Sequence, residues 1–230
     1  MILRIIVRAW PCTKKNTTKR HEEFALSVIG YLIKTKDMGI TFGGKLRIPK
    51  GMEHHPAGFQ ESLGLHMYCD SSWGKDTSPF GGYVIMLNSG AIAWGSRKLR
   101  IVHDSTAEAE TAVASRAAKD SVAVRMILED LRAGVYGPTT LIIDCKAPKD
   151  IITKPGSTPR TRYFERSTML VKRLFAMHVI TPMLIGTDDM IADIFTKVLH
   201  RDKLAACREY IYVEPRQEWT QHRSVVRQRA

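Results

Sequence analysis

The sequence predicts a mixed α/β fold, a sheet with helices packed on it, on three observations. Two short apolar runs, residues 65–70 and 139–144, each end in an aspartate and are typical of buried strands. Two further strand patterns, 82–87 and 91–94, flank a turn. A long helical pattern from Ser105 to about Leu131 separates these strands from 139–144. The element order is therefore three strands, a helix and a strand, with helices and a strand after it.

The chain before this sheet shows weaker patterns. Residues 21–35 have helical spacing, and 40–42 are typical of a short strand. Glycines and prolines are dense from 45 to 64, which indicates a linker. The predicted divisions are an N-terminal segment 1–44, a linker 45–64, a main domain 65–212 and a disordered tail 213–230.

Within the main domain, 65–70, 82–87 and 91–94 should form an antiparallel meander. The turn Asn88-Ser89-Gly90 should join the last two strands, with positive φ at Gly90. After the long helix and strand 139–144, the predicted elements are helices over 149–153 and 164–177, a strand over 178–185, and helices over 188–197 and 201–212.

Composition narrows the partners. The formal net charge is +12 and the pI is about 9.7, which favours a polyanion such as nucleic acid. No apolar run approaches the roughly 20 residues of a membrane helix. The four cysteines lack zinc spacing, so we expect a reduced, intracellular setting.

Four acids, Asp70, Glu110, Asp144 and Asp193, occupy positions that suggest one metal-binding cluster. Asp70 and Asp144 end their strands, and Glu110 lies on the helix face that carries the apolar stripe. Glu108 points the other way, so we expect it to face solvent and serve the helix cap. Asp193 stands among apolar residues in the predicted helix 188–197. Clustered carboxylates repel one another unless a cation joins them, and Mg²⁺ prefers oxygen ligands.

Ordered motifs over residues 65–200 resemble the ribonuclease H domain of copia-type retrotransposon polyproteins. Residues 20–44 resemble the tail of the preceding reverse transcriptase region, so 1–44 would be its remnant. The motifs are Asp70-Ser71-Ser72-Trp73, Gly82-Tyr83-Val84, Ile92-Ala93-Trp94-Gly95-Ser96-Arg97-Lys98, Ser105-Thr106-Ala107-Glu108-Ala109-Glu110 and Ala192-Asp193-Ile194-Phe195-Thr196-Lys197.

The resemblance implies an RNase H-like fold with a five-stranded mixed sheet. It implies that the four acids hold two Mg²⁺ ions, or Mn²⁺, and cut the RNA strand of an RNA–DNA hybrid, leaving a 3′-hydroxyl and a 5′-phosphate. We expect Arg97 and Lys98 to contact phosphates, Trp94 to flank the groove, and Ser71 to contact the nucleic acid. The implied partner is the reverse transcriptase domain of the polyprotein. The implied chain is a monomer in cytoplasmic virus-like particles or the nucleus.

Three departures from the family pattern bear on activity. Cys145 replaces the asparagine common after the third acid, and no histidine precedes Asp193 in its loop, which suggests slow turnover. The polymerase Asp-Asp motif is absent, so we expect a fragment or a degraded genomic copy. The alternative is an inactive nucleic-acid-binding remnant. Integrase-like chemistry expects its acids in the order Asp, Asp, Glu, which this chain does not have.

Overall fold

The computed structural model describes residues 19–40, 42, 64–74, 77–99, 105–156, 165–211 and 213–215. The predicted linker therefore lies outside the described residues, apart from Gly64. The helices are α1 (Lys19–Lys34), α2 (Thr106–Asp130), α3 (Lys146–Thr153), α4 (Glu165–Ala176) and α5 (Arg201–Tyr210). The strands are β1 (Met38–Ile40), β2 (His66–Gly74), β3 (Thr77–Leu87), β4 (Gly90–Lys98), β5 (Thr139–Ile143), β6 (Ile180–Leu184) and β7 (Val213–Pro215).

The main sheet has five strands in the order β4-β3-β2-β5-β6. Strands β2, β3 and β4 form an antiparallel meander, whereas β5 pairs parallel with both β2 and β6. A parallel pair needs a crossover connection, and α2 supplies it between β4 and β5. This arrangement confirms the predicted fold class, a mixed five-stranded sheet flanked by helices. The first strands are longer than predicted, because β3 begins at Thr77 and β4 extends to Lys98.

The β3–β4 hairpin turns through a different backbone conformation from the one predicted. Positive φ values fall at Asn88 (48°) and Ser89 (64°), while Gly90 already belongs to β4. Two consecutive left-handed residues match the twist of the flanking strands. Glycine is required at position 90 for another reason, since a Cβ there would overlap the ring of Phe42.

Helix α2 follows the predicted apolar stripe for most of its length. Ser105 caps the helix by accepting a hydrogen bond from the Glu108 amide at 3.3 Å. Val113, Ala117 and Leu128 are buried against the sheet. The stripe ends there, because the helix stops at Asp130 and the next residue, Leu131, is exposed.

Each face of the sheet carries its own apolar core, as strand alternation requires. Met67 of β2 faces α2 and joins one core, whereas Tyr68 faces the other way and joins the second. The second core is closed by residues 190–195, with Phe195 fully buried. This segment is where the sequence prediction of a helix over 188–197 is wrong. It forms two short 3₁₀ turns, Thr187–Asp189 and Ile191–Phe195. The apolar spacing did not reveal this, because residues three apart lie on one face in both helix types.

A second, two-stranded sheet joins the two ends of the described chain. β1 pairs antiparallel with β7, with Gly39 opposite Glu214. Ile40 packs against the second core, and Arg208 Nη1 of α5 donates to the Tyr31 hydroxyl of α1 at 3.3 Å. The predicted disordered tail was to begin at 213, but Val213–Pro215 are strand; the tail from 216 lies outside the described residues. Among the described helices, none is long and apolar enough to cross a membrane.

Candidate metal centre

Two carboxylates meet because β2 and β5 run side by side in the same direction. The parallel register places Tyr68 opposite Ile142. Asp70 and Asp144 each follow two residues later, so they come together at the same edge of the sheet. Asp70 is almost fully buried, and Asp144 is partly exposed. The two predicted aspartates are therefore neighbours, although the prediction that the first strand ends at Asp70 is wrong, since β2 continues to Gly74.

The third carboxylate comes from α2. Glu110 lies in the second turn of that helix and is 6% exposed. Glu108, expected to face solvent, is also only 6% exposed, so that prediction is wrong. Helical spacing gives a side chain's direction relative to the sheet, but it does not show what covers the opposite face of the helix. Burial alone therefore does not distinguish the two glutamates. They differ in position, because Glu110 lies beside Asp70 and Asp144.

Asp70, Glu110 and Asp144 form a compact group that we call the acid cluster. One carboxylate oxygen from each lies within 4.8 Å of the others. Burial, and then the charges of Asp144 and Asp70, raise the pKa of Glu110 to about 8 from an ordinary 4.5. The Cys145 thiol donates a hydrogen bond to Glu110 and opposes this rise. Burial also raises the pKa of Asp70, although hydrogen bonding from Thr196 and the charge of Lys197 oppose it.

Asp193, the fourth predicted ligand, lies outside the acid cluster but beside it. Its carboxylate is 2% exposed and is held by two ammonium groups. Lys197 Nζ lies 2.6 Å from Asp193 Oδ1, and Lys203 Nζ lies 2.5 Å from Oδ2. Lys197 Nζ is also 3.5 Å from Asp70 Oδ2, so a single ammonium bridges the two carboxylates. Partial burial would lower the pKa of Lys197, but its hydrogen bond to Asp193 and the charge of Asp70 raise it.

The segment that carries Asp193 is fixed to the sheet by side-chain hydrogen bonds. Ser96 Oγ of β4 donates to the Phe195 carbonyl at 2.7 Å, and Thr196 Oγ1 donates to Asp70 Oδ2. Sequence reasoning assigned no role to Thr196, Lys197 or Lys203. The spacing of four between Asp193 and Lys197 is a signal that could have found one of these contacts. Nothing local in the sequence points to Lys203.

The predicted nucleic-acid contacts lie at the same end of the sheet. The register places Asp70, Gly82 and Ser96 in one row across three neighbouring strands. Arg97 and Lys98 come directly after Ser96 on β4 and are exposed, so they lie two strands, roughly 10 Å, away from Asp70. Trp94 packs partly against the second core and stays partly exposed. Ser71 is buried, and its hydroxyl has no hydrogen-bond partner among the described residues, so it offers no surface to a ligand.

The acid cluster has the donors that a hard divalent cation requires. It offers carboxylate oxygens from three different elements, and Mg²⁺ and Mn²⁺ are bound by such oxygens. Without a cation these carboxylates are costly to ionise, because burial, and then the like charges of Asp144 and Asp70, raise the pKa of Glu110. The donor set and its electrostatics therefore both fit a divalent metal ion.

Comparison with known proteins places this site in a family context. No family model matches the chain. The chain is 24% identical over 201 residues to the retrovirus-related Pol polyprotein from transposon TNT 1-94 of Nicotiana tabacum, a match covering 86% of this chain and 14% of that protein. It is also 24% identical over 187 residues to the corresponding polyprotein from transposon RE2 of Arabidopsis thaliana, covering 80% of this chain and 12% of that protein.

The chain is homologous to Pol polyproteins of plant transposons. This confirms the predicted resemblance to a retrotransposon polyprotein. Solved structures with similarity include RNase H1 from Halobacterium salinarum, at 17% identity and a TM-score of 0.41, covering 62% of this chain and 98% of that one. LC11-RNase H1 in complex with an RNA/DNA hybrid aligns at 14% identity and a TM-score of 0.45, covering 57% and 93%. The chain thus spans a small part of its polyprotein relatives, and somewhat more than half of it aligns with nearly the whole of each RNase H chain.

Proposed function

We propose that this protein is a divalent-metal-dependent endonuclease that cuts the RNA strand of RNA–DNA hybrids during retrotransposon reverse transcription. The observation that carries the proposal is the acid cluster, in which carboxylate oxygens of Asp70, Glu110 and Asp144 lie within 4.8 Å of one another. Relatives that are Pol polyproteins of transposons favour a hybrid over other nucleic acids as the substrate.

In this proposal the acid cluster holds Mg²⁺ or Mn²⁺. Held by Asp70, Glu110 and Asp144, such an ion would supply an activated water and stabilisation of the leaving oxygen, the chemistry of a hydrolysis that leaves a 3′-hydroxyl and a 5′-phosphate. Thr196 keeps the Asp70 carboxylate oriented through its hydrogen bond. The cluster must lose the proton that burial and like charge hold on Glu110 before all three carboxylates can bind the metal. Two-ion hydrolysis, as the resemblance implies, needs Asp193 as a further ligand.

The basic surface serves substrate binding in this proposal. Arg97 and Lys98 are exposed at the sheet end that carries Asp70, where they can contact phosphates, and Trp94 lies beside them on β4. The net charge of +12 adds a sequence-independent attraction to nucleic acid.

We propose that the protein works as a monomer beside the reverse transcriptase domain of a parent polyprotein, in virus-like particles of the cytoplasm or in the nucleus. Among the described residues, Cys69, Cys145 and Cys207 are free thiols, which supports a reducing compartment.

A second candidate is an inactive protein that still binds nucleic acid. Two observations favour it: Asp193 is neutralised by Lys197 and Lys203, and Cys145 stands where the family commonly has asparagine. Such a protein would keep salt-sensitive binding through its positive charge.

The experiment incubates the protein with labelled RNA–DNA hybrid, duplex DNA and duplex RNA, with Mg²⁺ or with EDTA. We expect Mg²⁺-dependent cutting of the hybrid RNA alone. Glu110→Gln should reduce cutting to the level seen in EDTA. The matched control is Glu108→Gln, a change two residues away at an equally buried position outside the acid cluster. This variant should still cut the hybrid RNA.

Salt-sensitive binding of the hybrid without cutting would favour the inactive binder. Equal cutting by Glu110→Gln and the wild type would remove the acid cluster from the mechanism.

A further inference from the structure

The carboxylate of Asp193 is saturated by charges that belong to the protein. Each oxygen has its own ammonium, Lys197 at 2.6 Å and Lys203 at 2.5 Å, and the carboxylate is 2% exposed. A divalent ion bound to Asp193 would stand next to one of these ammonium groups, and the two cations would repel each other in this buried position. Asp193 is therefore a favourable metal ligand only after an ammonium group moves away.

Lys197 differs from Lys203 in what else it touches. Its Nζ lies 3.5 Å from Asp70 Oδ2, so it occupies the space between Asp70 and Asp193. Besides its contact with Asp193, the Nζ of Lys203 donates to the Thr187 carbonyl at 3.0 Å. The side chain of Lys197 is 37% exposed, which gives it a path out to solvent. Lys197 is the group that can both fill the gap and leave it.

Charge balance gives the same conclusion. Asp70, Glu110, Asp144 and Asp193 carry four negative charges when all are ionised, and Lys197 with Lys203 supplies two positive ones. The remainder matches one divalent cation. A second divalent cation between Asp70 and Asp193 would meet the ammonium of Lys197 at close range, and like charges that close repel strongly in a partly buried site.

We propose that Lys197 is a built-in cation for the Asp70–Asp193 side of the centre, and that it limits the substrate-free protein to one divalent ion, held by the acid cluster. A second ion enters only when Lys197 swings away from Asp70 and Asp193. Lys197 is thus a positioning residue that sets the metal count. This inference rests on the proposed function for the identity of the centre.

The test counts Mn²⁺ bound per chain by electron paramagnetic resonance titration of the full-length protein without nucleic acid. The wild type should bind about one ion and Lys197→Gln about two, because glutamine keeps the hydrogen-bonding capacity and removes the charge. Lys197→Arg should restore about one. Lys203→Gln is the matched control, since Lys203 pairs with Asp193 but does not touch Asp70; it should stay at about one.

The wild-type count decides the matter even if Lys197→Gln does not fold. Any wild-type count other than one, or a count of one in a folded Lys197→Gln protein, overturns the proposal. Hybrid cleavage measured on the same samples separates the two ideas. A wild type that binds two ions and cleaves the hybrid would contradict this inference but support the proposed nuclease. A wild type that binds one ion and does not cleave would agree with this inference and contradict the proposed nuclease.

Discussion

Glu110 shows how a single buried acid links pH, stability and metal binding. Its pKa of about 8 in the folded protein compares with an ordinary 4.5, because burial and the charges of Asp144 and Asp70 disfavour ionisation. Between those two values the folded chain keeps a proton that the unfolded chain has released. The metal-free protein therefore loses stability as pH rises through this window, and the loss levels off above about 8.

We predict that Glu110→Gln removes much of this pH dependence. In EDTA, the melting temperature of the wild type should fall relative to that of Glu110→Gln as pH rises from 4.5 to about 8. Thermal unfolding followed by circular dichroism measures the difference, and Glu108→Gln serves as the control that keeps the wild-type slope. Parallel curves for wild type and Glu110→Gln would show that Glu110 titrates normally. Added Mg²⁺ should reverse the trend, since the metal binds the ionised form.

Among the elements, β3 helps to set the geometry of the centre, because it has a glycine, with no side chain, where Phe195 and Thr196 approach the sheet. Gly82 pairs with Asp70, and a Cβ at Gly82 would overlap the Cβ of Phe195 and lie 2.8 Å from Thr196 Cγ2. The 3₁₀ turn that carries Asp193 thus packs directly on a glycine backbone. The absence of a side chain at this position lets Thr196 reach Asp70.

We predict that Gly82→Ala destabilises the protein by about 1–3 kcal/mol, the usual cost of overpacking a core, and reduces cleavage by displacing the turn. Gly30→Ala in α1 is the matched control, since no atom lies within 4 Å of its Cβ position. That change should stabilise the protein by about 0.5–1 kcal/mol through helix propensity. Urea unfolding measures both, and a Gly82→Ala variant as stable as wild type would mean that the turn packs more loosely than described.

The elements also show how far sequence reasoning reaches. The acid cluster could be predicted because apolar strands and a helical face are short-range patterns that indicate the positions of Asp70, Asp144 and Glu110, although β2 runs on past Asp70 to Gly74. The helix type of 188–197 could not, since its apolar spacing suits α and 3₁₀ turns alike. Lys197 is a local i,i+4 partner of Asp193, whereas the contact of Lys203 with Asp193 depends on how the turn meets α5, and this is a tertiary contact.

At the scale of the whole molecule, the β1–β7 pair joins segments that the sequence assigned to different units. Ile40 adds to the second core, and Arg208 reaches Tyr31. No sequence pattern predicted this pairing, because three-residue strands far apart in the chain carry no periodic signal. The division at 45–64 stays a prediction, yet the segment before it contributes to the core of the segment after it.

We predict that a protein of residues 65–212 keeps the four acids and hybrid cleavage but is less stable than residues 19–215 by about 1–3 kcal/mol. The loss comes from the apolar contact of Ile40 and the ladder between β1 and β7. Urea unfolding of the two proteins measures the difference. Equal free energies of unfolding would show that the β1–β7 pair adds no stability to the main sheet.

The adjacent glycines of β3 also determine which second mutations can repair a damaged centre. An alanine at Gly81 would meet the end of the Val113 side chain, which a smaller residue at 113 could shorten. An alanine at Gly82 would meet the Cβ of Phe195, which every residue but glycine keeps, and the backbone carbonyl carbon of Phe195, which every residue keeps. A suppressor screen should therefore recover intragenic revertants for the first lesion and, at position 195, none for the second. The two neighbouring glycines would then differ in how readily a second mutation can compensate for their replacement.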